Sequence, residues 1–151
     1  MMRVSLGYDI HRLALGRKLF IGGVEIPSDY GAVAHSDGDV LLHSIIDALL
    51  SPFGTDIGQL FPDSDEAYKD RKSVDFLKLV KEKYLKNAKI KNLDSVVVID
   101  TPKIQPFISE MKEVISKILD VSREVVSIKG KTTERTRMFT IECFTVVLLE
   151  L

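Results

Sequence analysis

The fold of this chain is organised around HSDGDVLLHSIIDA, residues 35–48, which joins an acidic turn to a helix carrying a histidine. Ser36 or Asp37 is predicted to cap the helix, because a short side-chain oxygen accepts hydrogen bonds from the free N–H groups of a first turn. The helix then begins near Gly38. On a helical period His43 and Asp47 share one side of the helix. The packing stripe falls on the opposite side, at Leu41, Ile45, Ala48 and Leu49.

Composition indicates a single domain spanning residues 1–151. The chain has 151 residues, of which 45% are hydrophobic, enough for one continuous core. Lysine plus arginine (21) nearly balance aspartate plus glutamate (22), so there is no basic surplus of the kind that binds nucleic acid or an anionic membrane. The single cysteine, Cys143, excludes an intrachain disulfide. Without a signal-like or bilayer-length apolar stretch, we expect a soluble, cytoplasmic protein.

Apolar periodicity predicts the element order β-α-α-β-α-β-β. This order indicates an α/β (α+β sandwich) fold, with one mixed β-sheet and helices on one face. The β-branched run at 95–99 is typical of a central strand buried on both faces. The acid-rich stretch 56–65 is a long loop, typical of a lid or a binding segment. The other predicted elements are strands at 3–11, 125–128 and 141–149, a short hairpin at 18–26, and helices at 73–86 and 107–119.

All three histidines of the chain, His11, His35 and His43, lie beside segments that contain aspartate. Asp9 and His11 are two residues apart at the end of a strand, so their side chains point to the same side of the sheet. With His43 they can supply one carboxylate and two imidazoles and leave a fourth position open, as in catalytic zinc sites. Asp47, one turn beyond His43, is a candidate to orient that imidazole. The alternative is that these residues are half-buried polar groups with ordinary hydrogen-bond partners.

A second candidate site is the turn Thr132-Thr133-Glu134. Its hydroxyls and amides can hold phosphate oxygens, and a carboxylate together with phosphate oxygens is a typical magnesium site. Taken alone, a polar turn between strands looks the same and is the simpler interpretation. Pro102 and Lys103 follow a strand at its carboxyl end, where α/β sheets commonly bind ligands, although a solvated turn explains them equally well. The turn Thr132-Thr133-Glu134 is flanked by the basic residues Lys129, Lys131, Arg135 and Arg137.

Several motifs follow one another along the chain: GYDIH at 7–11, AHSDGD at 34–39, His43 with Asp47, DIG at 56–58, FPDSD at 61–65, PK at 102–103 and TTE at 132–134. Together they closely resemble the 2-C-methyl-D-erythritol 2,4-cyclodiphosphate synthase family. The resemblance implies a lyase of the non-mevalonate pathway of isoprene biosynthesis. Such an enzyme closes 4-diphosphocytidyl-2-C-methyl-D-erythritol 2-phosphate into 2-C-methyl-D-erythritol 2,4-cyclodiphosphate and releases CMP. It also implies a homotrimer with active sites at the subunit interfaces.

The same resemblance implies roles for individual residues. Asp9, His11 and His43 correspond to zinc ligands, and Glu134 corresponds to the ligand of a second divalent ion, magnesium or manganese. His35 and Thr132 correspond to the catalytic residues that stabilise the reacting phosphate. The stretch 56–65 corresponds to a flexible flap, and 99–105 with 131–133 to a cytidine pocket contributed by the neighbouring subunit. The implied substrate-binding residues are Asp9, His11, His35, Ser36, Asp56, Ile57, Gly58, Phe61, Pro62, Asp63, Ser64, Asp65, Ile99, Asp100, Thr101, Pro102, Lys103, Ile104, Gln105, Lys131, Thr132, Thr133, Glu134 and Met138.

The chain departs from the family pattern in two places. Lys131 stands where the family usually has threonine. The segment 135–142 replaces a glycine-rich stretch whose charged residues line the trimer axis, beside a cavity that can hold an isoprenoid diphosphate. The resemblance therefore does not carry that cavity ligand over to this chain. Two alternatives stay open: a metal-dependent phosphohydrolase with the same Asp/His/His site, and a non-catalytic trimeric module that binds a cytidine nucleotide.

Overall fold

A computed structural model describes residues 1–151 as one larger sheet, one short hairpin and four α-helices. The strands are β1 (Met2–Leu15), β2 (Leu19–Ile21), β3 (Val24–Ile26), β4 (Tyr30–Ala32), β5 (Lys89–Ile99), β6 (Val126–Lys131) and β7 (Thr140–Glu150). The helices are α1 (Val40–Leu50), α2 (Ile57–Leu60), α3 (Ser73–Tyr84) and α4 (Ile108–Leu119). The larger sheet has the order β4-β1-β7-β5-β6, and β2 pairs with β3 separately.

The predicted mixed sheet is confirmed, because β5 and β6 run parallel while the other neighbours in the sheet run antiparallel. Parallel strands need a crossover, and α4 supplies it between β5 and β6. The periodicity missed β4 and α2, which are too short for a repeating pattern. The expectation that the β-branched run is buried on both faces is wrong. Residues of β5 alternate between buried and partly exposed along that run, because the helices cover only one face of the sheet.

The other face of the sheet is open and apolar. Outward side chains of β1 and β7 are exposed although they are hydrophobic, with Val4 at 70% and Leu6 at 61% exposure. Such a contiguous exposed apolar patch marks a protein interaction surface in most soluble proteins. None of the helices has the length and the apolar character to cross a bilayer. We call this surface the open sheet face, and it comprises Val4, Leu6, Tyr8, Ile10, Phe144 and Val146.

Helix α1 begins at Val40, two residues after the predicted start at Gly38. Its cap is Asp39, whose Oδ1 accepts a hydrogen bond from the backbone N–H of Leu42 at 3.0 Å. Neither Ser36 nor Asp37 fills that position, and Asp37 instead binds the start of α3. The helix is buried on nearly its whole circumference, so the packing stripe predicted from its periodicity was too narrow.

The Asp39 carboxylate also ties α1 to the β2–β3 turn. Its Oδ1 accepts from the N–H of Gly22 at 2.8 Å, and its Oδ2 accepts from the N–H of Gly23 at 2.7 Å. The side chain is fully buried. Burial, followed by the negative charge of Asp37, raises the pKa of Asp39 to about 6, against the effect of its three backbone donors.

Helix α1 packs against β1 at one point of very close approach. A Cβ atom added to Gly7 would lie 1.8 Å from the carbonyl oxygen of Ser44, so only glycine allows the helix to sit here. Buried hydroxyls reinforce the contact: Ser44 Oγ lies 2.7 Å from Thr145 Oγ1, and Ser5 Oγ donates to the carbonyl of Ala48 at 2.6 Å. This packing fixes the distance between Asp9 on β1 and His43 on α1, the residue before Ser44.

Candidate active site

Three of the predicted ligands, Asp9, His11 and His43, meet where β1 and α1 pack together. Asp9 Oδ2 lies 2.7 Å from His11 Nε2 and 3.1 Å from His43 Nδ1. The ligand-type atoms of the three residues all lie within 4.8 Å of one another. The structure therefore brings together, from two elements, the carboxylate and the two imidazoles that their spacing along the chain predicted.

The charges in this cluster support one another. Burial by itself raises the pKa of Asp9, but the close contacts and positive charge of His11 and His43 outweigh burial and lower that pKa to about 2. For His43, burial lowers the pKa, while the hydrogen bond and charge of Asp9 raise it to a net value above the usual one. In the isolated chain Asp9 is thus ionised, as a metal ligand must be, and any proton on the neighbouring imidazoles has to leave before they can bind a cation.

The residues fit a divalent ion such as zinc. His11 Nε2 is buried and has no hydrogen-bond partner, since its short approach to Asp9 lacks hydrogen-bond geometry. A buried polar atom without a partner is costly in a protein interior, and a metal ion at this point satisfies it. One carboxylate and two imidazoles are also ligands that zinc accepts, with a further position left for substrate.

A cavity of about 270 Å³ opens beside the cluster. A larger and more open groove of about 650 Å³, formed by residues 15–19 and 25–29, contains no cluster of ligand-type side chains. The smaller cavity is therefore the candidate active site. It is lined by Asp9, His11, Val33, Ala34, His35, Ser36, His43, Ile57, Gly58, Phe61, Asp63, Tyr68 and Phe76.

Aromatic contacts hold the flap stretch 56–65 against α3. Phe61 stacks on Phe76 with ring centroids 4.4 Å apart and meets Tyr68 edge-on at 5.4 Å. The predicted flap residues Ile57, Gly58, Phe61 and Asp63 line the cavity, whereas Asp56, Pro62, Ser64 and Asp65 do not. Asp56 instead caps α2, and the backbone carbonyl of Asp65 lies 3.3 Å from Nε2 of His35. Sequence patterns did not indicate that Tyr68 and Phe76 line the cavity, because aromatic residues usually belong to an ordinary hydrophobic core.

Asp47 does not orient His43, contrary to the prediction. Its Oδ1 accepts a hydrogen bond from the backbone N–H of Ile57 at 2.8 Å, so it supports the start of α2. The nitrogens of His43 contact Asp9 on one side and Ser36 and Ser73 on the other. Ser73, at the start of α3, is a partner that spacing along the chain did not indicate.

The second group of predicted site residues assembles at the carboxyl ends of the parallel pair β5 and β6. Val98 pairs with Lys131, which places the stretch 99–105 beside the turn 131–134. The Asp100 carboxylate joins them, because its Oδ1 accepts from the N–H of Thr133 at 2.7 Å and from the Thr133 hydroxyl at 2.9 Å. Lys131, Thr132 and Glu134 are exposed.

These residues do not reach the metal cluster of their own chain. None of the residues 99–105 or 131–134 lines the cavity beside Asp9, His11 and His43. His11 and Ile99 both pair with Ile141, from opposite sides of β7, so they lie about 10 Å apart across the sheet. Met138 does not line the cavity either and is 62% exposed. The predicted site residues of one chain therefore form two separate groups, which we call the metal half-site (Asp9, His11, His43 and the cavity) and the turn half-site (99–105 with 131–134).

Comparison with known proteins identifies the family. The sequence profile of the YgbB family matches residues 2–150. The chain belongs to the YgbB family. It is 46% identical to the 2-C-methyl-D-erythritol 2,4-cyclodiphosphate synthase of Fusobacterium nucleatum, over 99% of this chain and 98% of that protein. It is 54% identical to the enzyme of the same name from Caldicellulosiruptor bescii, over 89% of this chain and 87% of that protein.

Solved structures of YgbB family enzymes have the same fold. A 2-C-methyl-D-erythritol 2,4-cyclodiphosphate synthase in a CDP-bound form superposes with a TM-score of 0.91 at 36% identity, covering 98% of this chain and 100% of the other. A CDP complex of the Plasmodium falciparum enzyme has a TM-score of 0.84 at 36% identity, covering 98% of this chain and 95% of the other. The resemblance found in the ordered motifs is thus confirmed, and so is the α+β fold.

In this YgbB family member the segment 135–142 contains an ion pair between two of its own residues. The Arg137 guanidinium contacts the buried Glu142 carboxylate, and the Tyr8 hydroxyl donates to Glu142 Oε2 at 2.7 Å. The hydrogen bond to Glu142 is the main reason that the pKa of Tyr8 is raised. The charge of Arg137 is therefore engaged within the chain, next to the open sheet face.

Proposed function

We propose that this chain is a 2-C-methyl-D-erythritol 2,4-cyclodiphosphate synthase of the cytoplasm. It converts 4-diphosphocytidyl-2-C-methyl-D-erythritol 2-phosphate into the 2,4-cyclodiphosphate and CMP. The observation that carries the proposal is the Asp9, His11 and His43 cluster beside a flap-lined cavity, in a chain whose relatives bear that enzyme's name. The CDP complexes of two structural relatives support a cytidine nucleotide as the leaving part of the substrate.

Asp9, His11 and His43 would hold a zinc ion, and Glu134 would hold a second divalent ion, magnesium or manganese. When bound, these ions supply charge neutralisation and Lewis-acid polarisation of the phosphoryl group. The exposed carboxylate of Glu134, at the end of β6, is free of salt bridges, which leaves it available for such an ion.

The chain's own residues bind, orient and enclose the substrate. An oxygen of the 2-phosphate attacks the phosphorus that carries the erythritol oxygen; a new P–O bond closes the ring, and the bond to CMP breaks. That oxygen is already anionic at neutral pH, so the site needs no serine, cysteine or dedicated base. His35 and Ser36 on the cavity wall hold the phosphate for in-line attack. In the proposed assembly Thr132 of a neighbouring subunit lies opposite them. The flap, held by Phe61, excludes water that would otherwise hydrolyse the diphosphate.

The active form is a homotrimer in which each site uses the metal half-site of one subunit and the turn half-site of its neighbour. Two observations support this assembly. The half-sites lie apart within one chain, so one chain alone does not complete a site. The open sheet face also presents exposed apolar side chains, among them Leu6 and Phe144, and burying such a surface between copies is the usual stabilisation of an obligate oligomer. The nucleotide then lies against Asp100, Lys103 and Met138 of the neighbour.

The test is a direct assay of the purified chain with the cytidyl substrate, zinc and magnesium. We expect CMP and the cyclic diphosphate in equal amounts, with neither formed after the metals are removed with a chelator. CMP with an open-chain phosphate product would favour the metal-dependent phosphohydrolase. CMP binding without turnover would favour the non-catalytic module. Either outcome, or no CMP at all, would overturn the synthase assignment.

A further inference from the structure

We propose that Ser73 and Asp37 are positioning residues that fix the tautomer of His43, so that its Nδ1 faces the metal site. The inference rests on the proposed role of His43 as a zinc ligand and goes beyond it. Ser73 lies 30 residues from His43 in the sequence and is the first residue of α3. Its side chain is fully buried, so each hydrogen bond that it makes has a definite partner inside the protein.

The Asp37 carboxylate takes both hydrogens that Ser73 can donate. The backbone N–H of Ser73 donates to Asp37 Oδ2 at 2.9 Å, and the Ser73 hydroxyl donates to Asp37 Oδ1 at 2.5 Å. An ionised carboxylate only accepts hydrogen bonds. The hydroxyl hydrogen of Ser73 is therefore directed away from His43.

The hydrogen bonds of Ser73 determine which nitrogen of His43 carries the proton. Ser73 Oγ lies 2.8 Å from His43 Nε2, and with its hydrogen on Asp37 it offers only a lone pair there. Nε2 must then carry the proton and donate it. A metal ion binds only the neutral imidazole, in which one nitrogen is the donor and the other the acceptor, so in the metal-bound protein the lone pair is on Nδ1. That nitrogen faces Asp9 Oδ2 at 3.1 Å, which is the position of a metal ligand.

The surroundings of Nε2 agree with this assignment. Ser36 Oγ is the other polar atom near it, at 3.2 Å, and a hydroxyl oxygen can share the same N–H as a weaker acceptor. Asp47, the carboxylate that the helix period favoured, is engaged with Ile57 instead. Metal-bound histidines usually donate their second nitrogen to such an outer partner, which orients the ring and selects the tautomer. Here the partner is a serine whose own orientation is set by Asp37.

The experiment compares Ser73→Ala with Ser116→Ala. Ser116 is a matched control, because it is also a buried helix serine but bonds only to the backbone of its own helix, at Glu113. Zinc affinity is measured by competition with a chromophoric chelator. Loss of an outer partner typically weakens metal binding about 10- to 100-fold, and we expect that loss for Ser73→Ala and no change for Ser116→Ala. Asp37→Ala keeps the Ser73 hydroxyl but frees its hydrogen, and should give a smaller decrease.

A second measurement reads the tautomer itself. Long-range ¹H–¹⁵N spectra of the zinc-loaded wild type should show His43 protonated at Nε2, with the proton protected from exchange. In zinc-loaded Ser73→Ala that proton should exchange rapidly, which a purely structural role of Ser73 does not predict. A His43 protonated at Nδ1 would overturn the inference, as would zinc binding by Ser73→Ala equal to that of Ser116→Ala or a wild type that binds no zinc. Zinc binding with these differences but without CMP release would overturn the synthase assignment and leave this inference standing.

Discussion

The metal half-site and the turn half-site are built on opposite principles. Asp9, His11 and His43 are held by the core. β1 and α1 touch at Gly7, the buried Ser5 hydroxyl joins them, and His43 is only 9% exposed. The turn half-site lies at the carboxyl ends of β5 and β6, with Lys131, Thr132 and Glu134 exposed and Asp100 as the main internal link. One half is complete within a chain, and the other half presents its groups outward.

This difference has a functional meaning. A metal site needs its ligands within a few tenths of an ångström of their places, and packed elements provide that precision. In the proposed homotrimer a nucleotide must enter and leave, and its contacts then suit an exposed edge that a neighbouring copy closes. Substitutions in the two halves should therefore have separable effects: those in the first should change metal binding, and those in the second should change turnover or assembly alone.

The largest effect is expected for His43→Ala. Removing one of three ligands should weaken zinc binding by more than about 100-fold, beyond the loss caused by an outer partner, and should abolish CMP release. His35→Ala is the matched control, because His35 lines the same cavity but lies outside the ligand cluster; it should keep zinc. Metal content by mass spectrometry and CMP release measure the two effects. Full zinc occupancy in His43→Ala would refute the ligand assignment.

Leu6→Asp should separate assembly from metal binding. A charge in the centre of the open sheet face should prevent trimer formation, because an unpaired carboxylate is costly to bury, and turnover should fall at least about 100-fold while zinc affinity stays unchanged. Leu15→Asp places the same charge at the far end of the same strand, at an exposed residue outside the open sheet face, and should stay trimeric. Sedimentation and zinc titration check both variants. A trimeric, active Leu6→Asp would show that this face is not the interface.

Glu134→Gln should affect turnover alone. It removes the carboxylate proposed for the second ion while keeping the size of the side chain, so we expect kcat to fall about 10-fold or more with zinc affinity unchanged. Glu124→Gln, an exposed glutamate on another turn, serves as the control. In titrations with magnesium and manganese, only Glu134→Gln should need a higher ion concentration for half-maximal activity. Equal kcat in the two variants would exclude Glu134 as the ligand.

Asp39→Asn is expected to have the smallest effect, and on stability instead of chemistry. An amide cannot accept from all three N–H donors that Asp39 serves, so the variant should lose about 1–2 kcal/mol of unfolding free energy. The pKa of Asp39 is raised from 3.8 to about 6 in the folded chain, so protonation favours folding. The wild type's advantage over Asp39→Asn should be greatest below pH 3.8 and should decrease as the pH rises through about 6.

Urea unfolding of both proteins at several pH values between 4 and 7 measures this difference. A constant difference across the range would mean that the pKa of Asp39 is not raised.

Much of the fold was predictable because its longer elements have strong local patterns. The alternation of β1, the β-branched segment of β7, the α3 and α4 stripes and the mixed-sheet class were all anticipated, and the strand ends were the main error. The misses have physical causes. β4 has three residues and α2 has four, too few for a repeating pattern. The cap of α1 moved from Ser36 or Asp37 to Asp39 because Asp39 also bonds the distant turn at Gly22 and Gly23.

For the site, the sequence by itself determined the ligand chemistry and the family. Asp9 and His11 point to the same side of the sheet because both lie on one strand, which their short spacing already shows. The order of the motifs along the chain can be read without knowledge of the fold. The tertiary structure alone decided which distant groups meet. It joined Ser73 to His43, directed Asp47 to Ile57, and separated the turn half-site from the metal half-site. Local periodicity acts over one or two turns, whereas these contacts depend on the strand order and on how α1 and α3 pack.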